Sequence, residues 1–457
     1  MIMKHRWGGG LARSFALASS VLMVWTSTLS AQRNEGPRKP DTASASATAD
    51  TSAEADAGSD TADVAPAAEL PQVQQPTGGF KNWVEQRVRS FSSTADRERG
   101  ITAAVGTVTP GSGLAAGIGY KHFNAFGRRV GYEAGAMVST RRYQQYSAAF
   151  GRLSERGSTV ELDTADRRVG SLFNDSATKE RGSALYIEAR YRDFPQSVYY
   201  GGGSTSLKSN RADYSLSGVS VEGVWQRQFD SSFGLSLRGG VLDLHVGTGT
   251  NPALVNFEER FAAATIPGAL EQPRFITFGV GLVHDTREHP GAPDDGTFVG
   301  VALRRFATGG SPDLDFTRMT FDARAYAKPI TDRGVIAVRA LLSSDFTDSG
   351  GPTPFYLQQS LGGGDTIRGL PSYRFQDQAL YVLTAEYRWR VHRHVEIAPF
   401  VDVGNTAAAI SRLTFRSLKV GPGLAIRVRT NHRTLARLEW ATSSEGYRIV
   451  VGTGPSF

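Results

Sequence analysis

From about residue 100 to residue 457 the side chains alternate with a period of two, and the polar face of that alternation is charged in segment after segment. Over 418–429, Leu418, Val420, Pro422, Leu424, Ile426 and Val428 point one way, and Lys419, Gly421, Gly423, Ala425, Arg427 and Arg429 point the other. The same dyad runs through 379–391, where Tyr381, Leu383, Tyr387 and Trp389 oppose Thr384, Glu386, Arg388 and Arg390. It recurs at 395–404, where Val395, Ile397, Val401 and Val403 oppose Glu396, Asp402 and Gly404. A period of two means extended strands. In a water-soluble sandwich each apolar face would meet another, but so many guanidiniums and carboxylates leave no second apolar layer. The pattern therefore predicts lipid on the apolar side and a polar lumen on the other. Past the N-terminal region no segment offers the roughly 18 apolar residues a membrane helix needs. Only a closed barrel then satisfies the backbone in a bilayer.

The predicted fold is all-β: a 16-stranded antiparallel transmembrane β-barrel with an inward-folded long loop, preceded by a short amphipathic helix. The even number returns both ends to the periplasm. Most strands are bounded by clear turn signals, such as Asp230–Ser231–Ser232 and Thr331–Asp332–Arg333. The connections 195–211, 247–272 and 346–377 are long and are expected on the outer side. The boundaries are weakest over 140–182, where single strands are assigned to 130–148 and 158–172.

Ahead of the barrel, residues 1–31 have the order of a secretory signal peptide. Lys4, His5, Arg6 and Arg13 form the basic region, Phe15–Trp25 the short apolar stretch, and Thr28, Ser30 and Ala31 the small residues near a cleavage site. Residues 32–79 carry three basic against eight acidic side chains and no aromatic, so they read as a disordered acidic linker. In 80–99, Phe80, Trp83, Val84, Val88 and Phe91 share one helical face, which predicts a helix that plugs the barrel or lies at its rim. The chain holds no cysteine, which suits export and excludes thiolate chemistry.

The C-terminal half carries more specific signals. Pro354–Phe355–Tyr356 leads to Leu361–Gly362–Gly363–Gly364, then to Ile367–Arg368–Gly369–Leu370, Phe375 and Asp377. Glu386–Tyr387–Arg388 and Phe400–Val401–Asp402–Val403–Gly404 follow. Tyr199–Tyr200–Gly201–Gly202–Gly203 and Asp285–Thr286–Arg287 through Pro293 to Gly296 precede them. In this order they resemble the bacterial surface-antigen barrel of the superfamily that includes BamA, TamA and the two-partner secretion transporters. The resemblance covers roughly 100–457 and is strongest over 275–404. It implies that the loop carrying Arg368 and Gly369 folds into the lumen. Arg368 would then meet Asp402, with Glu386 as second partner. Strand parity independently puts both carboxylates on the lumen side, and a guanidinium can bridge two carboxylates where lysine cannot. Gly362, Gly363 and Gly364 would let the loop bend.

Some features depart from that pattern. Leu370 stands where the family usually has an aromatic. Tyr447, Ile449, Val451 and Phe457 read as a C-terminal assembly signal, although Thr453 and Pro455 interrupt it. Residues 32–99 are too few and too polar for a periplasmic POTRA domain. On the later strands ten lumen cations face five carboxylates, which could favour anions or could form a paired structural network.

No Gly-x-Ser-x-Gly or nucleotide loop occurs, so no enzyme activity and no cofactor is expected. His284 and His289 beside Asp285 and Glu288 read as a solvated turn and not as a metal site. The expected partners are outer-membrane lipids, including lipopolysaccharide where present, and the barrel assembly machinery during insertion, with no nucleic acid. The first functional expectation is insertion or translocation of proteins or lipids in outer-membrane biogenesis. The alternative is a pore or structural barrel without clients.

Overall fold

The computed structural model describes residues 99–457 except 107, 110, 154–181, 330, 349 and 453. The predicted signal peptide, linker and helix all lie outside the described residues. The barrel strands are β1 (Arg99–Gly106), β2 (Ala115–His122), β3 (Gly131–Ser139), β4 (Gln144–Arg152), β5 (Gly182–Tyr199), β6 (Ala212–Gln228), β7 (Phe233–Thr248) and β8 (Phe275–Asp285). They continue with β9 (Gly296–Thr308), β10 (Phe316–Ala327), β11 (Gly334–Thr347), β12 (Ala379–His392), β13 (Val395–Ala407), β14 (Lys419–Arg429), β15 (Thr434–Ser443) and β16 (Gly446–Gly452).

Each strand pairs antiparallel with the next, from β1–β2 through to β15–β16. The sheet curls until early and late loops meet: Lys208, between β5 and β6, donates to the Glu445 carbonyl, between β15 and β16, at 3.0 Å. The result is a barrel whose seam lies between β1 and β16. No ladder joins those two among the described residues.

One of the predicted strands differs. The segment 130–148 is not one strand but two, β3 and β4, joined by the tight turn at Thr140–Tyr143. Arg142 sits in the left-handed region there, at φ 64°. Period two carries through a tight turn when both flanks alternate, so hydropathy alone does not reveal it. The strand predicted at 158–172 lies outside the described residues.

Alternation holds along the wall. On β13, Glu396, Ala398, Phe400, Asp402 and Gly404 are buried while Pro399 is exposed. On β15, Arg437, Glu439 and Ala441 are buried, and Leu438 and Trp440 are about half exposed to the lipid side. One stretch keeps the parity but carries apolar side chains on the lumen face. At the outer end of β12, Leu380 and Val382 turn inward and are fully buried. They join Leu341, Leu361, Ile367, Leu370 and Phe375 in an apolar cluster inside the lumen.

A second lumen cluster fills the outer half. Phe355 from the β11–β12 loop stacks on Phe257 from the β7–β8 loop, with centroids 4.6 Å apart, and packs against Tyr199 and Tyr214. Nearby, Gly203 donates to the Gln376 carbonyl at 2.7 Å. That bond ties the β5–β6 loop to a small ribbon formed by Gln359–Leu361 and Phe375–Asp377. The outer loops are thus packed into the mouth and joined to one another.

Candidate functional site

The site forms where the β11–β12 loop enters the lumen. The chain reverses at Gly362 and Gly363, whose φ values of 114° and 101° suit glycine alone, and Gly364 with Asp365 forms the turn that follows. Arg339 donates to the Asp365 carbonyl at 3.1 Å, and Ser443 to the Gly369 carbonyl at 2.9 Å, so opposite sides of the loop are held. Close approach requires glycine on both surfaces. A Cβ on Gly369 would collide with the Thr442 carbonyl, and one on Gly421 would press on Ile367.

Arg368 is 2% exposed and lies at the centre. Its backbone N–H and Nε donate to Asp402 at 3.0 and 2.8 Å, and Nη2 donates to the other Asp402 oxygen at 2.7 Å. Thr384 also donates to Asp402, at 3.0 Å. Nη1 reaches Glu386 at 2.6 Å and Glu439 at 3.1 Å. The guanidinium carbon lies 3.3 Å from the centroid of the Phe400 ring, which completes the cradle. Both expected partners are therefore in contact with Arg368.

Glu439 is a third partner that neither the motif nor strand parity reveals. It shares the lumen parity of β15, but its distance from residue 368 along the chain gave no sign of the contact. The network extends further. Arg427 bridges Glu386, Glu396 and Glu439, Arg388 binds Glu386, and Arg437 binds Glu439.

Leu370 is fully buried in the apolar lumen cluster. An aliphatic side chain therefore fills the position expected to be aromatic, against Leu341 and Leu380.

The residues read as an assembly signal separate. Tyr447, Ile449 and Val451 on β16 face lipid at 73%, 62% and 59% exposure. Phe457 does not share their face. Residues 454–457 leave the strand and turn into the lumen, where Phe457 packs with Tyr326, Val335 and Ala337. Tyr326 donates its hydroxyl to the Phe457 carbonyl at 2.9 Å. Ser456 donates to Glu386 and accepts from Arg427, each at 3.0 Å. Glycine at 454, with φ 71°, permits the turn that parity could not show.

At the opposite mouth, residues 286–295 reach over to the ends of β12, β14 and β15. Thr434 donates to the Gly291 carbonyl at 2.9 Å, and Arg429 donates to Asp294 at 2.7 Å and to the Ala292 carbonyl at 3.1 Å. Arg390 also pairs with Asp294. Burial would raise the Asp294 pKa, but the guanidiniums of Arg429 and Arg390 outweigh it and hold the carboxyl below its usual range. Asp285 is engaged by Arg287 through two bonds of 2.9 Å, and His289 contacts His432 at 3.2 Å.

The lumen guanidiniums meet more carboxylates than strand parity alone assigns. Arg318 binds Asp345, Arg324 and Arg339 bind Asp322, and Asp294 serves Arg390 and Arg429. Strand parity does not reveal Asp345 and Asp294 as partners, because one lies at a strand's outer end and the other in a turn.

These features define an outer-membrane β-barrel with an inward loop locked to its wall. The chain belongs to the Omp85 superfamily, whose domain matches residues 149–457. The fold is similar to BamA from Haemophilus ducreyi lacking POTRA domains 1–3, with a TM-score of 0.54 and 14% identity over 78% of this chain and 69% of that one. CdiB from Escherichia coli aligns with a TM-score of 0.46 and 11% identity over 78% of this chain and 61% of its own length. No curated protein sequence matches the chain.

Proposed function

We propose that the protein inserts or translocates proteins or lipids in outer-membrane biogenesis, and that it does so at the β1–β16 seam and not through an open lumen. One observation carries this reading: the lumen is filled by the locked loop and the packed outer loops, and no ladder joins β1 to β16 among the described residues. A strand edge that is not laddered to its neighbour would offer backbone groups to an incoming strand. Membership of the Omp85 superfamily supports insertion or translocation at a general level. The locked loop, the aromatic packing in the outer mouth and the segment 286–295 argue against a standing pore. We also propose, from the residues alone, that 1–31 direct export and that 32–79 act as a linker.

The test uses the absence of native cysteine. Cysteine pairs scanned between 99–106 and 446–452 would lock the seam on oxidation. In proteoliposomes the unlocked protein is expected to speed folding of a urea-denatured outer-membrane barrel, and the locked protein to lose that effect. Full activity with a locked seam would overturn the seam reading. A large steady conductance without any folding activity would favour the pore.

A further inference from the structure

The β1–β2 loop follows the outer end of β1, and the β15–β16 turn precedes the outer end of β16, so these two segments stand on opposite sides of the seam. Residues 372–374 of the β11–β12 loop reach both. On one side, the Ser372 hydroxyl accepts from Arg448 of β16 at 3.4 Å, and Arg374 Nε donates to both Glu445 oxygens at 2.7 and 2.9 Å. On the other, the Tyr373 hydroxyl lies 2.9 Å from Thr109 Oγ1 of the first hairpin. Three consecutive residues therefore span a boundary that no ladder closes among the described residues.

The two sides of this span differ in strength. Arg374 is buried, and its Nη1 and Nη2 also donate to Ser206, at 3.0 Å to the hydroxyl and 2.8 Å to the carbonyl. The rings of Phe375 and Tyr200 cover its guanidinium, with centroids 4.2 and 4.9 Å away. Charge-assisted bonds of this kind are roughly twice as strong as neutral ones. The contact between Tyr373 and Thr109 is a neutral hydroxyl pair. Thr109 itself is held in place, because Ser112 Oγ accepts the N–H groups of Val108 and Thr109 at 3.1 and 3.3 Å. Tyr373 has a left-handed backbone at φ 59°, which a bulky residue keeps only where its surroundings impose it. Letting go of Thr109 frees that backbone to relax. The weaker contact is thus also the one whose loss is partly offset.

We propose that residues 372–374 form a latch over the outer end of the seam, fixed on the β15–β16 side and released at Tyr373 from the first hairpin. The latch rests on the seam reading given above and adds the regulation of that seam. While it is closed, the outer ends of β1 and β16 move together. Once Tyr373 lets go, the first hairpin swings away and the long loop stays in the lumen. This is possible because the carboxylates that hold Arg368 lie on β12, β13 and β15, all on one side of the seam. Opening therefore leaves the buried ion network whole, and breaking that network would be far costlier than losing one neutral contact. The lock on the loop and the latch on the seam are separate devices carried by neighbouring residues.

The experiment measures the distance between nitroxide labels at Leu114→Cys and Tyr447→Cys in the full chain, which has no other cysteine, reconstituted in lipid nanodiscs. Both positions are exposed on the outward face, at 63% and 73%, and they flank the seam. With the native latch a short-distance population is expected to dominate. Tyr373→Phe keeps the ring and removes the hydroxyl. It is expected to raise the ratio of long to short distances about fivefold, the factor that one neutral hydrogen bond supports. Thr109→Val is expected to do the same, and the double variant no more than either alone, because both remove one contact. Heat-modifiable mobility shows that each variant is folded, and either single variant decides the question should the other not fold. An unchanged distance distribution in the folded single variants would overturn the latch. So would additive effects in the double variant, or a native chain already dominated by long distances. Folding of a urea-denatured barrel is followed on the same samples. Longer distances without faster folding would uphold the latch and count against the seam as the working site.

Discussion

At the scale of single residues the energetics concentrate on Arg368. Its charge is surrounded by three buried carboxylates, and removing one partner from such a group leaves uncompensated charge that costs about 3–5 kcal/mol. Arg368→Ala is therefore expected to lower the temperature at which heat-modifiable mobility is lost. Arg368→Lys is expected to rescue little of it, because a point charge cannot serve Asp402 and Glu386 together. A double-mutant cycle with Asp402→Ala is expected to show coupling of about 1 kcal/mol or more, with a smaller value for Glu386→Ala. Asp402 takes three bonds from Arg368, whereas Glu386 takes one and is also held by Arg388, Arg427 and Ser456. Additive effects for Arg368 and Asp402 would mean that the loop is anchored mainly by its backbone and its apolar face. At Gly369 the expected failure is steric. Gly369→Ala drives a methyl into the Thr442 carbonyl, so its loss of thermal mobility should approach that of Arg368→Ala although no charge is removed.

At the scale of elements, two short segments tie the lumen network to the chain's periphery. Residues 454–457 bring Ser456 to Glu386 and Arg427, and they place Phe457 under the Arg388 guanidinium. Deleting 454–457 while retaining β16 should destabilise the folded barrel by about 2–4 kcal/mol, chiefly through loss of the buried phenylalanine. Unfolding in urea, followed by tryptophan fluorescence, measures it. An unchanged midpoint would show that the turned-in segment contributes nothing. The segment 286–295 depends on the Asp294 carboxylate. Because its folded pKa is depressed, its contribution is complete above the unfolded value of about 3.9 and is lost as pH falls through the lower folded value. Asp294→Asn should thus reduce stability at neutral pH. It should leave the variant and the native chain alike in acid well below pH 3, as read from their thermal mobility curves.

At the scale of the whole molecule, a locked loop, packed outer loops and a segment across the other mouth predict a barrel that conducts little in planar bilayers. Excising 361–375 should convert rare small events into steady conductance. Equal conductance before and after would place the barrier elsewhere. Much of this architecture was legible in the chain. Alternation is a local property with a period of two, so lipid-facing and lumen-facing sides, most strand positions and the lumen placement of Asp402, Glu386 and Arg427 followed from residue order alone. The motif around Arg368 added its two main partners. Local patterning cannot show where the chain turns while alternation continues, which is why 130–148 proved to be two strands. It also cannot show which distant lumen charges meet, since Glu439 becomes Arg368's neighbour only when the curled sheet brings β15 beneath the loop. The inward turn of Phe457, the apolar lumen patch at Leu380 and Val382 and the reach of residues 372–374 across the seam were likewise decided by tertiary structure. Each depends on segments far apart in sequence sharing one enclosed space, where charge must be neutralised and apolar surface covered.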